Sequence, residues 1–583
     1  MGRIVGIDLG TSTSEISCIV DGAPFVIPNS LDKTVTPSVV HIGDGGEILV
    51  GEPAAEFLFT RPNCTFMEVK RLTGSGKTLG AHGREYRPEE LQGMLLRYLC
   101  DCAGEYLGET IDRAVITVPA YFTDVQRRLT AKAGEYAGLK VERIINEPTA
   151  AAMDYGLSNL TECKHILIYD FGGGTLDITV LELFNGVIDV KASRGNNKLG
   201  GKDFDEIIMR RLTDADPVSN DRTRLERLQS SGERPLSEIT GDERALMRLK
   251  KAAEECKIAL SSQTEYRVSL PFLSAGPNGK VISVDRTVTR AEFEEWIREK
   301  VESTRGPLMT VLSDGGLSPS DLDIILLVGG STRIPCVKNF VADALSVIPQ
   351  SLVDPELAVA RGAAVQAGIL EGVFSEENEL ILTDVCPYTL GVSVMKDGMF
   401  GEELVFDPLI GRNAKIPSEK SRIYSPYEDY QTKVLIEVYQ GDSSDPDNNE
   451  FLGDVWLDEI PAARRGKEKV EVIFYYDMNG ILQVKARVVS TGKEVTVKID
   501  TAGAAEKPAL DLSKWESAEN ARKFRPAIRK AQKIITAGDD KTGKLETLVI
   551  HIKEALIKGN EEHAEDLREI LTDMMEVMED KGV

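Results

Sequence analysis

Two short stretches share a design suited to gripping a phosphorylated ligand. Ile7-Asp8-Leu9-Gly10-Thr11-Ser12-Thr13 follows the first strand-like run, and Tyr169-Asp170-Phe171-Gly172-Gly173-Gly174-Thr175-Leu176-Asp177 follows a later one. Each sets an aspartate at a strand end and a glycine-threonine turn just after it. Glycine lets backbone N–H groups approach phosphate oxygens closely, and the hydroxyls add donors. The aspartates suit Mg2+, which takes oxygen ligands and keeps several of its waters. One such turn is common after a strand. Two at duplicated positions can face each other and clamp a nucleotide's phosphates from both sides.

A third glycine element, Val328-Gly329-Gly330-Ser331-Thr332-Arg333-Ile334-Pro335, also follows a strand. It admits a purine ring against its backbone with Arg333 alongside, or it is a plain strand-to-helix turn; the residues leave both open. Gly74-Ser-Gly-Lys-Thr78 resembles the end of a Walker A loop, but Arg71 stands where that motif needs glycine and no buried strand precedes it. It reads as a surface loop. The eight cysteines include the close pair Cys100 and Cys102, with no second pair or nearby histidine to complete a zinc pattern. They read as reduced, mostly buried thiols.

The elements that must position these turns follow from periodicity. Apolar runs at 3–8, 114–118, 165–170 and 323–328 end at Asp, Pro or Gly, as buried strands of an α/β sheet do. Helical patterns lie between them, for example at 124–137, opening with an Asp124 cap and ending near Gly138, and at 241–260. Residues 1–370 alternate in this way. Residues 371–379 are acidic and lead into the apolar cluster Leu380-Ile381-Leu382, so 371–384 is read as a linker; the plain alternative is the first strand of the next domain.

Beyond it the period becomes two. Val434, Ile436 and Val438 share one face, with Glu437 and Tyr439 on the other. Val470, Val472, Phe474 and Tyr476 repeat the pattern, and an Asn479-Gly480 turn leads to Leu482, Val484, Ala486 and Val488. A Thr491-Gly492 turn then leads to Val495, Val497 and Ile499. Residues 385–503 are therefore a compact antiparallel β domain. From 510 to 583 the pattern is helical. Ser513 and Glu516 offer a capping box, Leu545, Leu548, Ile552 and Leu556 form one stripe, Gly559-Asn560 makes a break, and Leu567, Leu571, Met574 and Met578 form a second stripe.

Composition excludes several classes. Over 583 residues, 69 Lys and Arg against 94 Asp and Glu give a net charge of −25. That opposes nucleic acid, whose binding rests on basic residues neutralising phosphates, and an anionic membrane surface. Apolar residues are 42% and charged residues 28%, as in globular chains. No run reaches the ~18 apolar residues of a spanning helix, and Met1-Gly-Arg-Ile-Val enters a strand without a signal-peptide core. The expected location is cytoplasmic.

The phrases Gly6-Ile-Asp-Leu-Gly-Thr11, Val118-Pro-Ala-Tyr-Phe122, Ile145-Asn-Glu-Pro-Thr-Ala-Ala-Ala152, Asp170-Phe-Gly-Gly-Gly-Thr175, Leu199-Gly-Gly201, Asp203-Phe-Asp205, Val328-Gly-Gly-Ser-Thr-Arg333 and Gly362-Ala-Ala-Val-Gln366 occur together across 1–503. In order and spacing the chain resembles the heat shock protein 70 (DnaK) family of ATP-driven chaperones. Its short helical tail and Leu382-Thr-Asp-Val-Cys-Pro-Tyr-Thr-Leu-Gly391 look most like the HscC-type bacterial branch.

The resemblance implies a multidomain chain: an actin-like, ribonuclease-H-like α/β ATPase domain of two lobes, then an antiparallel β-sandwich, then a short α-helical lid. It implies ATP or ADP with Mg2+, and K+ as a candidate second ion. Gly10, Thr11, Ser12 and Thr13 with Gly172, Gly173, Gly174 and Thr175 would hold phosphates, and Asp8, Asp170 and Asp177 would surround the metal and its waters. Lys70 would contact the γ-phosphate, and Glu147 would orient the attacking water or accept its proton. Such a set suffices because phosphoryl transfer is mostly positioning and charge stabilisation. Without the family phrases, Lys70 reads as a solvated cation and Glu147 as a helix cap.

Glu254, Lys257 and Ser261 share one helical face and would hold the nucleoside, completed by Gly201, Gly329, Gly330, Ser331, Arg333 and Glu356. Pro119 and Arg127 resemble a switch pair acting with Leu380, Ile381, Leu382 and Asp384 of the linker. Thr383 stands where the family usually has leucine, which would weaken linker docking. Met395, Tyr424, Tyr427, Val434 and Ile436 would line a groove for an extended peptide, although Val434 and Ile436 alone read as sandwich core. Tyr427 stands where a small residue is usual, and Ser12, Lys202 and Glu356 depart mildly from the pattern.

The function implied is an ATP-hydrolysing chaperone in protein folding and the stress response. Its partners would be unfolded or extended clients, a J-domain co-chaperone and a nucleotide exchange factor, with no nucleic acid and no membrane. Two other classes stay open: a sugar-type small-molecule kinase, which shares the ATPase fold but lacks the linker and β domain, and a passive peptide-binding protein that no longer hydrolyses ATP.

Overall fold

A computed structural model describes residues 2–213, 242–275, 281–374, 380–398, 401–497, 515, 521–537, 544–557, 564–565, 567–568, 571–572 and 575. The chain forms two compact units, Met1–Ala504 and Ala505–Val583. Among the described residues no helix is long and apolar enough to cross a membrane. Five cysteines, Cys18, Cys100, Cys102, Cys256 and Cys386, are buried free thiols, while Cys163 is exposed.

The duplicated turns sit on duplicated sheets. In the first, Ile4–Leu9 runs parallel to Arg113–Val118 and antiparallel to Thr13–Val20. In the second, Cys163–Phe171 runs parallel to Ile324–Val328 and antiparallel to Leu176–Phe184. All four apolar runs thus become strands buried on both faces. The helices Glu147–Leu157 and Ala358–Glu371 lie between the two sheets and share one core with them. Their backbones approach so closely that a Cβ on Gly362 would sit 1.7 Å from Ala150 O.

The helix expected at 124–137 forms as Asp124–Tyr136, but its cap is corrected. Thr123 is the N-cap, its hydroxyl accepting from Gln126 N while Gln126 reaches back to Thr123 N. Asp124 is freed for a long-range role. The second expected helix runs Glu243–Ser262, capped by Asp242, which accepts from Ala245 N at 3.1 Å. The 74–78 stretch is an exposed loop, as read.

The linker is not a free tether here. Ile381–Val385 is a strand, parallel to Val187–Asn196 of the second sheet and antiparallel to Lys415–Ile416. Its apolar trio divides: Leu380 is 3% exposed, Leu382 packs partly on the shared core, and Ile381 is 58% exposed. Thr383, expected to weaken docking, instead donates to Asp189 Oδ1 at 2.8 Å. Residues 375–379 lie outside the described residues.

The β region is two four-stranded antiparallel sheets. One has the order Gly401–Ile410, Leu390–Gly398, Val434–Gln440, Glu450–Leu457; the other Ser418–Tyr424, Val470–Tyr476, Leu482–Val488, Glu494–Val497. The Asn479-Gly480 and Thr491-Gly492 turns join the expected strands, with both glycines at positive φ. Ile499 lies outside the described residues. The sandwich core also takes in Val125 and Leu129 from the helix Asp124–Tyr136. In the second unit, the helices Ala521–Ala537 and Lys544–Ile557 bury Phe524, Ile528, Leu545, Val549, Ile552 and Leu556, with Leu571 and Met575. The expected features at Ser513, Glu516, Gly559, Asn560, Met574 and Met578 fall outside what is described.

Candidate functional site

The two turns meet. A Cβ on Gly173 would lie 2.4 Å from Ser12 Oγ, and one on Gly174 would lie 2.8 Å from Thr11 Oγ1. Only glycine permits this approach. The second turn is held from behind by three donors: Gly201 N to Gly172 O at 3.0 Å, Lys202 N to Gly173 O at 2.8 Å, and Ser331 Oγ to Gly172 O at 2.8 Å. Thr11 and Thr175 are buried, Ser12 is half-buried and Thr13 is exposed; Gly10 N donates to Ser14 Oγ.

Around them lies a cluster of acids. Asp8 and Asp170 end the paired central strands, and Asp177 begins the next one. Thr117 Oγ1 donates to Asp8 Oδ1 at 2.7 Å, and Tyr121 N donates to Asp177 Oδ1 at 2.9 Å. The buried Oδ2 atoms of Asp170 and Asp177 have no hydrogen-bond partner. Burial, and then the charge of Glu147, pushes Asp8 up to about 7, and the same causes raise Asp177 to about 7. Burial, followed by Glu147, Asp177 and Asp8, holds Asp170 well above the usual carboxylate range.

Lys70 is buried, donating to Leu9 O at 2.6 Å and Glu147 Oε1 at 2.5 Å. Glu147 opens its helix, with Asn146 as the N-cap residue. Buried carboxylates in this number, with orphaned oxygens and one lysine, call for a further cation. Among the described residues no three acid, histidine or cysteine side chains gather tightly enough to chelate a metal directly.

Beside the turns, Lys257 donates to Gly201 O at 3.1 Å and Asp205 Oδ2 at 2.9 Å, while Ser261 bonds back to Lys257 O. Glu254 accepts from Lys202 Nζ at 2.6 Å. Gly329, at φ +82°, allows its chain to press on Phe171, and Gly330 opens the short helix Gly330–Arg333. Arg333 faces Glu356 at 3.3 Å and Asp354 at 3.7 Å.

Sequence reasoning missed three contributors. Glu15, directly across from Asp8 in the sheet, is a buried acid that burial and Asp8 push well up. Its signal was an acid next to the phosphate-turn hydroxyls, in a strand that turns apolar from Ile16 onward except for Ser17. Lys202 is buried at the centre of Glu254, Glu68 and Asp205, and Arg71 reaches Asp203 at 3.4 Å.

Arg127 and Asn146 join the site to the linker strand. Arg127 is 2% exposed. It donates to Ala120 O at 2.9 Å, Asn146 Oδ1 at 2.7 Å and Asn479 O at 3.4 Å. Asn146, next to Glu147, donates in turn to Asp384 Oδ2 at 2.9 Å, and Thr149 does so at 3.1 Å. Pro119 is buried and accepts from Phe122 N. A second bridge, not foreseen, runs from Asp177 through Tyr121, whose carbonyl accepts from Tyr388 OH at 2.5 Å and whose ring lies 4.4 Å from that of Tyr388.

In the sandwich, Leu390–Gly398 pairs with Gly401–Ile410 throughout but with Val434–Gln440 only from Leu390 to Val392. The strands then part, bridged by Ser393 Oγ donating to Glu437 Oε2. Met395 is exposed and Val434 half-buried near this split, while Ile436 belongs to the core. Tyr424 OH donates to Asp407 Oδ2, and the Arg465 guanidinium lies 4.0 Å over the Tyr427 ring.

The Hsp70 protein family matches residues 4–582. The chain belongs to the Hsp70 family. It is 43% identical over 498 residues to the chaperone protein DnaK of Thermotoga petrophila, covering 85% of this chain and 80% of that one, and the same figures hold for DnaK of Thermotoga maritima. This Hsp70 is thus an ATPase and an ATP-dependent chaperone, with an actin-like ATPase domain, a β-sheet-rich substrate-binding region and a helical C-terminal part. It binds ATP and ADP and takes unfolded polypeptides as clients. The kinase and passive-binding readings are not favoured.

Proposed function

We propose that the nucleotide's phosphates lie between the turns at 10–13 and 172–175, with the nucleoside against Gly201, Glu254, Lys257, Ser261, Gly329, Gly330, Ser331, Arg333 and Glu356. Asp8, Asp170 and Asp177 would hold Mg2+ through water, with K+ as a second ion. The metal supplies charge to offset the phosphate oxygens. Lys70 steadies the γ-phosphate, and Glu147 orients the attacking water and takes its proton. The orphaned Asp170 and Asp177 oxygens opposite the Lys70–Glu147 pair carry this reading.

The domain boundaries we favour are 1–370, 371–384, 385–503 and 510–583. The docked linker strand suits the ATP-bound state. In that state the parted strands beside Met395, Tyr424, Tyr427, Val434 and Ile436 leave a peptide site open, and hydrolysis releases the linker and closes it. Coupling of this kind is reciprocal, so a bound client stimulates hydrolysis. Family membership supports a J-domain co-chaperone, a nucleotide exchange factor and a cytoplasmic setting. Single-turnover hydrolysis by Lys70→Ala is the test. The expected outcome is ATP still bound and a rate at least about a hundredfold lower, the scale of losing one transition-state charge partner. A wild-type rate would remove Lys70 from the mechanism.

A further inference from the structure

One group of charges beside the nucleoside residues spans both lobes. Glu68 follows the strand Thr65–Met67 of the first lobe. Lys202 lies on the helix Gly201–Thr213 and Lys250 on the helix Glu243–Ser262, and both helices pack into the core of the second sheet. Glu68 Oε1 is 2.8 Å from Lys250 Nζ and 3.6 Å from Lys202 Nζ. Lys202 in turn donates to Glu254 Oε1 at 2.6 Å and lies 3.7 Å from Asp205, which also faces Lys257 at 2.8 Å. Three acids thus face three lysines, and Glu68 is the member supplied by the first lobe.

The pairing is sheltered. The side chains of Lys202, Glu68 and Lys250 are 4%, 15% and 23% exposed, so salt screens them less than it does a surface pair. Burial opposes ionisation of Glu68, yet Lys250 and then Lys202 hold its carboxyl below the usual range. The backbone of Glu68 is at φ 58°, ψ 25°, a left-handed conformation that a residue other than glycine keeps only where its surroundings hold it. Met247, one turn before Lys250, packs against Val39, Ala54 and Leu58 of the first lobe, so an apolar contact sits beside the ion pair. Among the described residues Glu68 is the one ion partner of Lys250.

We propose that Glu68 is a positioning residue for the nucleotide: by closing the first lobe onto Lys250 and Lys202 it fixes the lysine that holds Glu254, and so retards the release of ADP from the cleft. This role rests on the nucleoside lying against Glu254. A nucleotide leaving the cleft must part the lobes and break both Glu68 contacts, whereas Lys202, Asp205, Glu254 and Lys257 stay together on the second lobe. The contact acts on the nucleotide, and not only on the lobes, because Lys202 joins Glu68 to Glu254.

The test is stopped-flow release of ADP from the full-length protein with Mg2+ and excess unlabelled ADP, the fluorophore being carried on the adenine so that the ribose is untouched. Glu68→Gln should release ADP about tenfold faster, the scale of one lost charge-assisted bond. Its association rate should stay within about twofold of wild type, since a lost contact acts mainly on dissociation, whereas a disturbed fold would slow association as well. Lys250→Met should do the same from the other lobe, and the double variant should be no faster than the quicker single one, because both remove one interaction. Lys251→Met, at an exposed lysine of the same helix 4.0 Å from Glu255, should release ADP as wild type does. Wild-type release by Glu68→Gln, slowed association in both single variants, additive effects in the double variant, or equal acceleration by Lys251→Met would each overturn this role while leaving the nucleoside site standing. A wild-type protein that bound no ADP would overturn the nucleoside site itself, and this role with it.

Discussion

Replacing Asp124 by asparagine weakens one of the contacts that join the ATPase lobes to the sandwich. The Asp124 side chain is fully buried, accepting from Leu482 N at 2.6 Å and from Arg128 Nε at 2.5 Å. Leu482 opens a sandwich strand, while Asp124 and Arg128 share one ATPase helix. An asparagine has a single acceptor oxygen, so its NH2 must face either the Leu482 amide or the guanidinium, donor against donor. One charge-assisted bond is lost and a buried donor stays unpaired, at a cost of about 2–3 kcal/mol. At 1.36 kcal/mol per decade that shifts the docked population by about 30–150-fold. Arg128 is 26% exposed and also donates from Nη2 to Leu482 O, so its guanidinium keeps a partner and the ATPase helix itself should lose little. Hydrogen exchange with ATP should show amides at 381–385 and 481–482 exchanging faster by that factor, with those of Ile4–Leu9 unchanged. Protection at 381–385 within twofold of wild type would refute the idea that this carboxylate holds the domains together.

Thr383→Val removes the hydroxyl that donates to Asp189 and should cost about 1 kcal/mol of linker docking; roughly fivefold faster exchange at 381–385 is expected. Gly362→Ala drives a Cβ into Ala150 O and should cost about 3 kcal/mol or more, read as a lower thermal midpoint. Asp8 and Asp177, raised to about 7, give most stability to the unliganded protein when protonated. That contribution is full below their unfolded value near 4 and is lost as pH rises through about 7. Mg2+ favours the ionised forms, so Mg-ADP should bind more tightly at pH 8 than at pH 6 with proton release near neutrality, which calorimetry in buffers of different ionisation enthalpy measures.

Much of the candidate site's geometry was legible because it is local. An aspartate at a strand end, glycines that admit phosphate and the Glu147 at a helix start are each written within a few residues, and duplication of the first pattern pointed to paired lobes. The period-two runs and Asn479-Gly480 likewise placed the sandwich strands, since alternation and a positive-φ turn need no distant partner. What tertiary structure decided are jobs set by residues far away in sequence. Asp124 looked like a helix cap, but Thr123 takes that place and Asp124 bonds across to Leu482. The apolar Leu380-Ile381-Leu382 could not reveal that Ile381 faces water, because that depends on pairing with Val187–Asn196. The sequence pattern singled out neither Asp154 nor Arg361. Only the packing of their helices against Ile324 and the 350–354 loop buries Asp154 beside a polar cavity, where loss of solvent makes its charge matter.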